Sequence, residues 1–78
     1  MTYIATFYSH FGAVRFKRLC DSRGWRAQIM PVPRSLSSSC GSCVRYEGEY
    51  PHEVPVEVEQ IVRVEGSAYC PVYRAENS

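Results

Sequence analysis

Nothing in this 78-residue chain approaches the roughly 18 consecutive apolar residues of a membrane-spanning helix. The start, MTYIATFYSHFGAVRF, has no basic opening segment, no long apolar centre and no cleavage site, so no secretory leader is read from it. A cytoplasmic protein with its thiols reduced at rest is therefore expected. Without secretion, four Cys do not make a disulfide scaffold. No basic run is present either. The formal net charge is +1, which leaves no electrostatic footprint for nucleic acid or anionic lipid. Paired carboxylates, a phosphate-binding glycine loop and a Ser/His/Asp arrangement are all missing, and no motif asks for a cofactor. What remains is a single small domain over 1–78. A chain of this length buries only about 60–65% of its unfolded surface, too little to enclose a large active site. Hydrophobic residues at 45% and charged residues at 22% fit a globular fold and are too apolar for disorder.

What the chain does have is RSLSSSCGSC, Arg34 to Cys43, a serine- and glycine-rich loop holding two cysteines. The flanking elements can be read from periodicity. YIATFY, Tyr3 to Tyr8, is an apolar, aromatic and β-branched run, as in a buried strand. Ser9 is a helix N-cap, Ala13, Phe16, Leu19 and Cys20 fall at helical spacing, and Gly24 ends the helix. Trp25 to Val32 and Cys43 to Glu47 read as strands, Gly48 to Glu53 as a polar turn in which His52 is solvated, and Ala68 to Arg74 as an edge strand carrying Pro71. Val54 to Val64 fits both periods. Pro55 suits the first position of a helix better than a central strand, so a helix is expected there. The order βαββαβ implies an α+β fold, a ferredoxin-like sandwich with one antiparallel sheet, strand order 4-1-3-2, and two helices on one face. Such a fold brings Ser9, His10, Phe11 and Gly12 to the same end of the sheet as the cysteine loop.

Three chemistries compete for Cys40 and Cys43. A zinc site needs more ligands than one CxxC pair. Cys20 lies roughly 16 Å along the helix from the loop end and cannot join them, although His10 offers a third ligand. Cys20 and Cys70 share faces with apolar neighbours and are expected to be buried and inert. A redox pair is sterically feasible, yet thioredoxin-like pairs open a helix, and this one leads into a strand. A carrier of sulfur or selenium asks for less: an exposed thiol, room around it and a positive surrounding. Serine and glycine give the room, Arg34 and Arg45 bracket the loop, and the helix start points its positive end there, all of which stabilise a persulfide or perselenide anion. The plain alternative is that Ser37 to Ser42 is only a flexible connector.

These residues resemble a bacterial family of small selenium/sulfur carrier protein-like domains. The shared pattern is Phe7, Ser9 and Ala13 at the strand-to-helix turn, then Gly24, then Pro31-Val32-Pro33-Arg34, then Cys40-Gly41, within residues 3 to 47. The resemblance implies that Cys40 is the carrier thiol. Cys43 departs from the pattern, as a resolving thiol or as the first residue of a strand. Ser9, His10, Arg34, Gly41 and Arg45 are then expected around the loop, with no resident metal or cofactor. The implied partners are a sulfur or selenium donor such as a cysteine desulfurase and an acceptor enzyme, the chain being closer to a shared substrate than to a stand-alone catalyst. A metal-binding or redox-sensing module using the Cys40/Cys43 pair is the alternative, and a docking domain a third. Tyr3, Phe7, Tyr46, Tyr69 and Tyr73 crowd the strands. With helices on one face only, some should lie on the open face and offer a partner or homodimer surface.

Overall fold

The computed structural model describes residues 1–51 and 53–75, so the expectation for His52 lies outside the described residues. The opening apolar run forms β1 (Thr2–Phe7), and Ser9 turns the chain into α1 (His10–Ser22). Ser9 is extended (φ −148°, ψ 161°) and its hydroxyl accepts from the Gly12 N–H at 3.4 Å, as an N-cap does. Gly24 follows the helix at φ +74°, the left-handed conformation that releases the chain into β2 (Arg26–Pro31). Then come β3 (Ser42–Glu47), β4 (Val58–Glu65) and β5 (Ala68–Arg74).

The strands form a single five-stranded sheet in the order β2-β3-β1-β4-β5, with every neighbouring pair antiparallel. β1 is central, covered on both faces, and buried over nearly its whole length. Tyr3, Ala5 and Phe7 pack beneath Ala13, Phe16 and Cys20 of α1. On the other face Ile4, Cys43 and Val62 are covered by Val32 and Leu36 of the serine-rich loop. The aromatic residues expected on an open face are largely inside. Tyr46 is buried against α1, stacked on Tyr3 at 5.3 Å and on Trp25 at 5.6 Å, with Phe16 edge-on. Tyr69 lies half-buried beside the loop-covered cluster.

The two-helix ferredoxin-like arrangement is therefore wrong. Among the described residues there is one helix, and the stretch expected to be the second is β4, paired with both β1 and β5. Two features explain the correction. Pro55 precedes the strand instead of opening a helix, and Val54 packs on the α1-side core while Pro51 is buried, so an irregular segment covers the place of a second helix. At the far end of β4, Gly66-Ser67 makes a two-residue turn in which only Gly66 has positive φ (+61°). That is the hairpin turn with glycine first, whose twist matches antiparallel strands. A β-hairpin, not a helix followed by a strand, closes the chain.

One consequence positions the site. Because all neighbours are antiparallel, the end of β1, the start of α1, the end of β2, the starts of β3 and β4 and the end of β5 share one end of the sheet.

Candidate functional site

At that end the loop between β2 and β3 is pinned at almost every residue. The Val32 N–H donates to the Gly41 carbonyl at 3.1 Å and closes its neck, and the Leu36 N–H donates to the Pro33 carbonyl at 3.0 Å. Gln60 Nε2 donates to the Ser37 carbonyl at 2.9 Å. The Ser38 hydroxyl donates to the Phe7 carbonyl at 3.3 Å and accepts from the Cys40 N–H at 3.2 Å. Ser39 gives Glu59 two hydrogen bonds, from its N–H at 3.1 Å and its hydroxyl at 2.8 Å. Beyond the cysteine, Ser42 Oγ lies 3.1 Å from His10 Nδ1. The serines are anchors, and Cys40 is displayed between the Ser39–Glu59 and Ser42–His10 contacts. A loop held at this density is not a loose tether.

Glu59 and Gln60 reach the loop because of a bulge. β1 and β4 pair Thr6 with Gln60 and then Phe7 with Val58, leaving Glu59 as the extra residue. Val58 and Ile61 face α1, while Glu59 and Gln60, adjacent in sequence, both turn towards the loop. Burial alone would push the Glu59 carboxyl up. The hydrogen bonds from Ser39 and Thr6 outweigh it and hold the group below its ordinary value. Glu59 was not legible from the sequence, since a helical Val54–Val64 carries no bulge; the Gly66-Ser67 turn was the signal that pointed to a strand.

The two loop-region cysteines occupy different settings. Cys40 is half-buried and sits in the loop. Cys43 is fully buried among Ile4, Val62, Met30, Val32 and Leu36, and its thiol donates to the Pro31 carbonyl at 3.7 Å. Burial pushes the Cys43 thiol up to about 11. Both are free thiols. Of the other two, Cys20 is buried in the α1-side core, whereas Cys70 is partly exposed on β5 and its thiol donates to Glu65 Oε1 at 3.5 Å. That corrects the expectation of a buried Cys70.

Ser9 serves the loop indirectly, by starting α1 so that His10 meets Ser42. Arg34 and Arg45 are exposed and make no ion pair among the described residues. Arg45 stands opposite Ile4 and Gln28 in the sheet, so it faces the same side as Cys43. At Gly41 an added Cβ would meet nothing within 4 Å, which leaves one flank of Cys40 open. Among the described residues no three His, Cys, Asp or Glu side chains converge as metal ligands, and no helix is long and apolar enough to cross a membrane.

Set against known proteins, residues 2–70 match a family model described as "putative Se/S carrier protein-like". No curated protein and no solved structure matches the chain.

Proposed function

The chain belongs to the Se/S carrier protein-like family, and from that premise we propose that it is a cytoplasmic relay that holds sulfur or selenium on Cys40. The observation that carries this reading is the display of a partly exposed thiol on a braced loop, with the neighbouring Cys43 withdrawn into the core. In loading, the Cys40 thiolate attacks the outer sulfur of a donor persulfide. A new S–S bond forms at Cys40, the donor's S–S bond breaks, and the donor leaves as its thiolate, so no outside oxidant or reductant is needed. Delivery is the same exchange onto an acceptor thiol. Selenium follows the same path with a perselenide. His10 and Ser42, hydrogen-bonded beside the loop, are the groups suited to pass a proton to the outer atom. Cys43 packs the core and takes no part in either exchange.

The partners, a donor such as a cysteine desulfurase and an acceptor enzyme, would approach over the N-terminal half of α1. There Phe11 is 65% exposed, with Tyr8 beside the helix start and Arg15 stacked over the Phe11 ring at 5.6 Å. An exposed aromatic flanked by arginine is the kind of contact that dominates protein interfaces.

The test is intact-mass measurement after incubation with inorganic polysulfide, and separately with a cysteine desulfurase and L-cysteine. In a Cys70→Ser background, which removes the other partly exposed thiol, the parent chain and Cys43→Ser should each gain one sulfur, and Cys40→Ser should gain none. Uptake by Cys40→Ser at the parent level overturns the assignment.

A further inference from the structure

We infer that the trough between the serine loop and the β4–β5 hairpin binds a free α-amino acid with an apolar side chain. Two adjoining cavities, of about 400 and 330 Å³, share Ser37, Gln60 and Arg74. Each lies near the lower end of the roughly 300–1,000 Å³ range of small-ligand sites. The smaller is also lined by Glu59 and Tyr8, the larger by Leu36, Val62 and Pro71. Arg74 stands opposite Gln60 in the sheet and so faces the loop-covered side.

Charge selects the ligand. Glu59 and Arg74 line one cavity, yet among the described residues neither forms an ion pair, with the other or with any third group. Two opposite charges that share a space without neutralising each other are complementary to a molecule that also carries two. A simple anion would satisfy Arg74 but meet the Glu59 carboxylate, and a simple cation would meet the reverse conflict. A zwitterion avoids both. Its carboxylate suits the planar guanidinium of Arg74, which accepts bidentate pairing. Its ammonium suits Glu59, which already accepts from Ser39 and Thr6 but has about four lone-pair sites as an ionised carboxylate.

Gln60 strengthens the case. It is only 6% exposed, and its Nε2 is committed to the Ser37 carbonyl, while its Oε1 has no partner among the described residues. An unpaired amide oxygen on a residue that lines both cavities is a second acceptor for the ammonium. The apolar wall of Leu36, Val62 and Pro71 then receives the ligand's side chain. The site omits Cys40. However, Ser37 and the Glu59-bound Ser39 belong to the same loop, so an occupied trough would brace it further.

L-Methionine is the probe, since it lacks a thiol that could exchange with the protein's cysteines. In a ¹⁵N NMR titration it should produce saturable shifts at the Gln60 side-chain amide, Ser37 and Arg74 Nε. N-acetyl-L-methionine lacks the ammonium, the methyl ester lacks the carboxylate, and glycine lacks the apolar side chain. Each should bind at least about tenfold more weakly. Arg74→Gln should weaken methionine binding by a similar factor and leave the Ser39 amide signal in place, which shows the loop still held by Glu59. Cys40→Ser should bind methionine like wild type, separating this site from the carrier reading. Absent or unsaturable shifts overturn the proposal, as do equal affinities for the blocked analogues or wild-type binding by Arg74→Gln.

Discussion

Cys20 and Cys43 lie wholly within the two layers of the core, while Cys40 and Cys70 keep part of their surface in solvent. Burial comes first in pushing both buried thiols up to about 11; at Cys20 the Asp21 charge adds to it, and Arg23 and Lys17 partly offset it. Since the thiolate is the reactive form, iodoacetamide on the native protein should label Cys40 and Cys70 first. Cys20 and Cys43 should react only in denaturant, and native labelling of Cys43 as fast as Cys40 would contradict this packing. The helical spacing of Cys20 with Ala13 and Phe16 made its burial legible in the sequence. Cys70 was misplaced because it stands on the edge strand opposite Arg63 and beside Glu65, so its neighbours there are charged side chains and not the core. Tyr46 carries a second residue-scale prediction. Its ring is buried among Tyr3, Phe16 and Trp25, but its hydroxyl has no hydrogen-bond partner among the described residues. Leaving a buried hydroxyl unpaired is costly, so Tyr46→Phe should raise stability by roughly 1 kcal/mol in urea denaturation. A large loss of stability would mean that the hydroxyl is paired after all.

At the scale of elements, the β4 bulge decides how the Cys40 loop is held. Without the extra residue, Glu59 would alternate to the α1 side and Ser39 would lose both its hydrogen bonds. The Glu59 carboxyl is held below the ordinary 4.5, so it binds fewer protons folded than unfolded just below that value. Its contribution is therefore fully present above about pH 5 and is lost as pH falls through the folded value. Hydrogen exchange at the Ser39 amide should show the loop loosening over that acidic window, ahead of the sheet. Glu59→Gln should remove the pH dependence, since it keeps an acceptor but no longer titrates. An unchanged acid response in that variant would assign the effect to another group. The start of the chain was legible because β1, the Ser9 cap and the Gly24 stop agree in pattern and chemistry. Residues 54–64 were not, because valines at mixed spacing satisfy a helix and a strand alike. Tertiary pairing with β1 and β5 decided between them.

Along the chain the charges segregate, although the net value of +1 conceals it, and the two runs meet where Arg15 pairs with Glu57 at 3.7 Å. From α1 to the start of β2 lie Arg15, Lys17, Arg18, Arg23 and Arg26 against Asp21 alone, which is tied to Lys17 at 2.9 Å. From the end of β3 through β4 lie Glu47, Glu49, Glu53, Glu57, Glu59 and Glu65 against Arg63 alone. The basic α1 borders the Cys40 loop through His10 and Ser42, while Glu59 is engaged by Ser39 on the loop's other side. A donor docking over α1 would therefore do best with an acidic surface. Exposed charges act over about 8 Å at physiological ionic strength and lose reach as salt rises. Sulfur transfer from a cysteine desulfurase should therefore slow with added salt, whereas loading by inorganic polysulfide should change little. Arg18→Glu, on the exposed side of α1 and outside every ion pair among the described residues, should slow the enzymatic transfer by about tenfold at low salt and flatten its salt dependence. Polysulfide loading of the same variant should match wild type, because Cys40 and its braces are untouched. Equal slowing of both routes would place the damage in the loop, and unchanged enzymatic transfer would remove α1 from the docking surface.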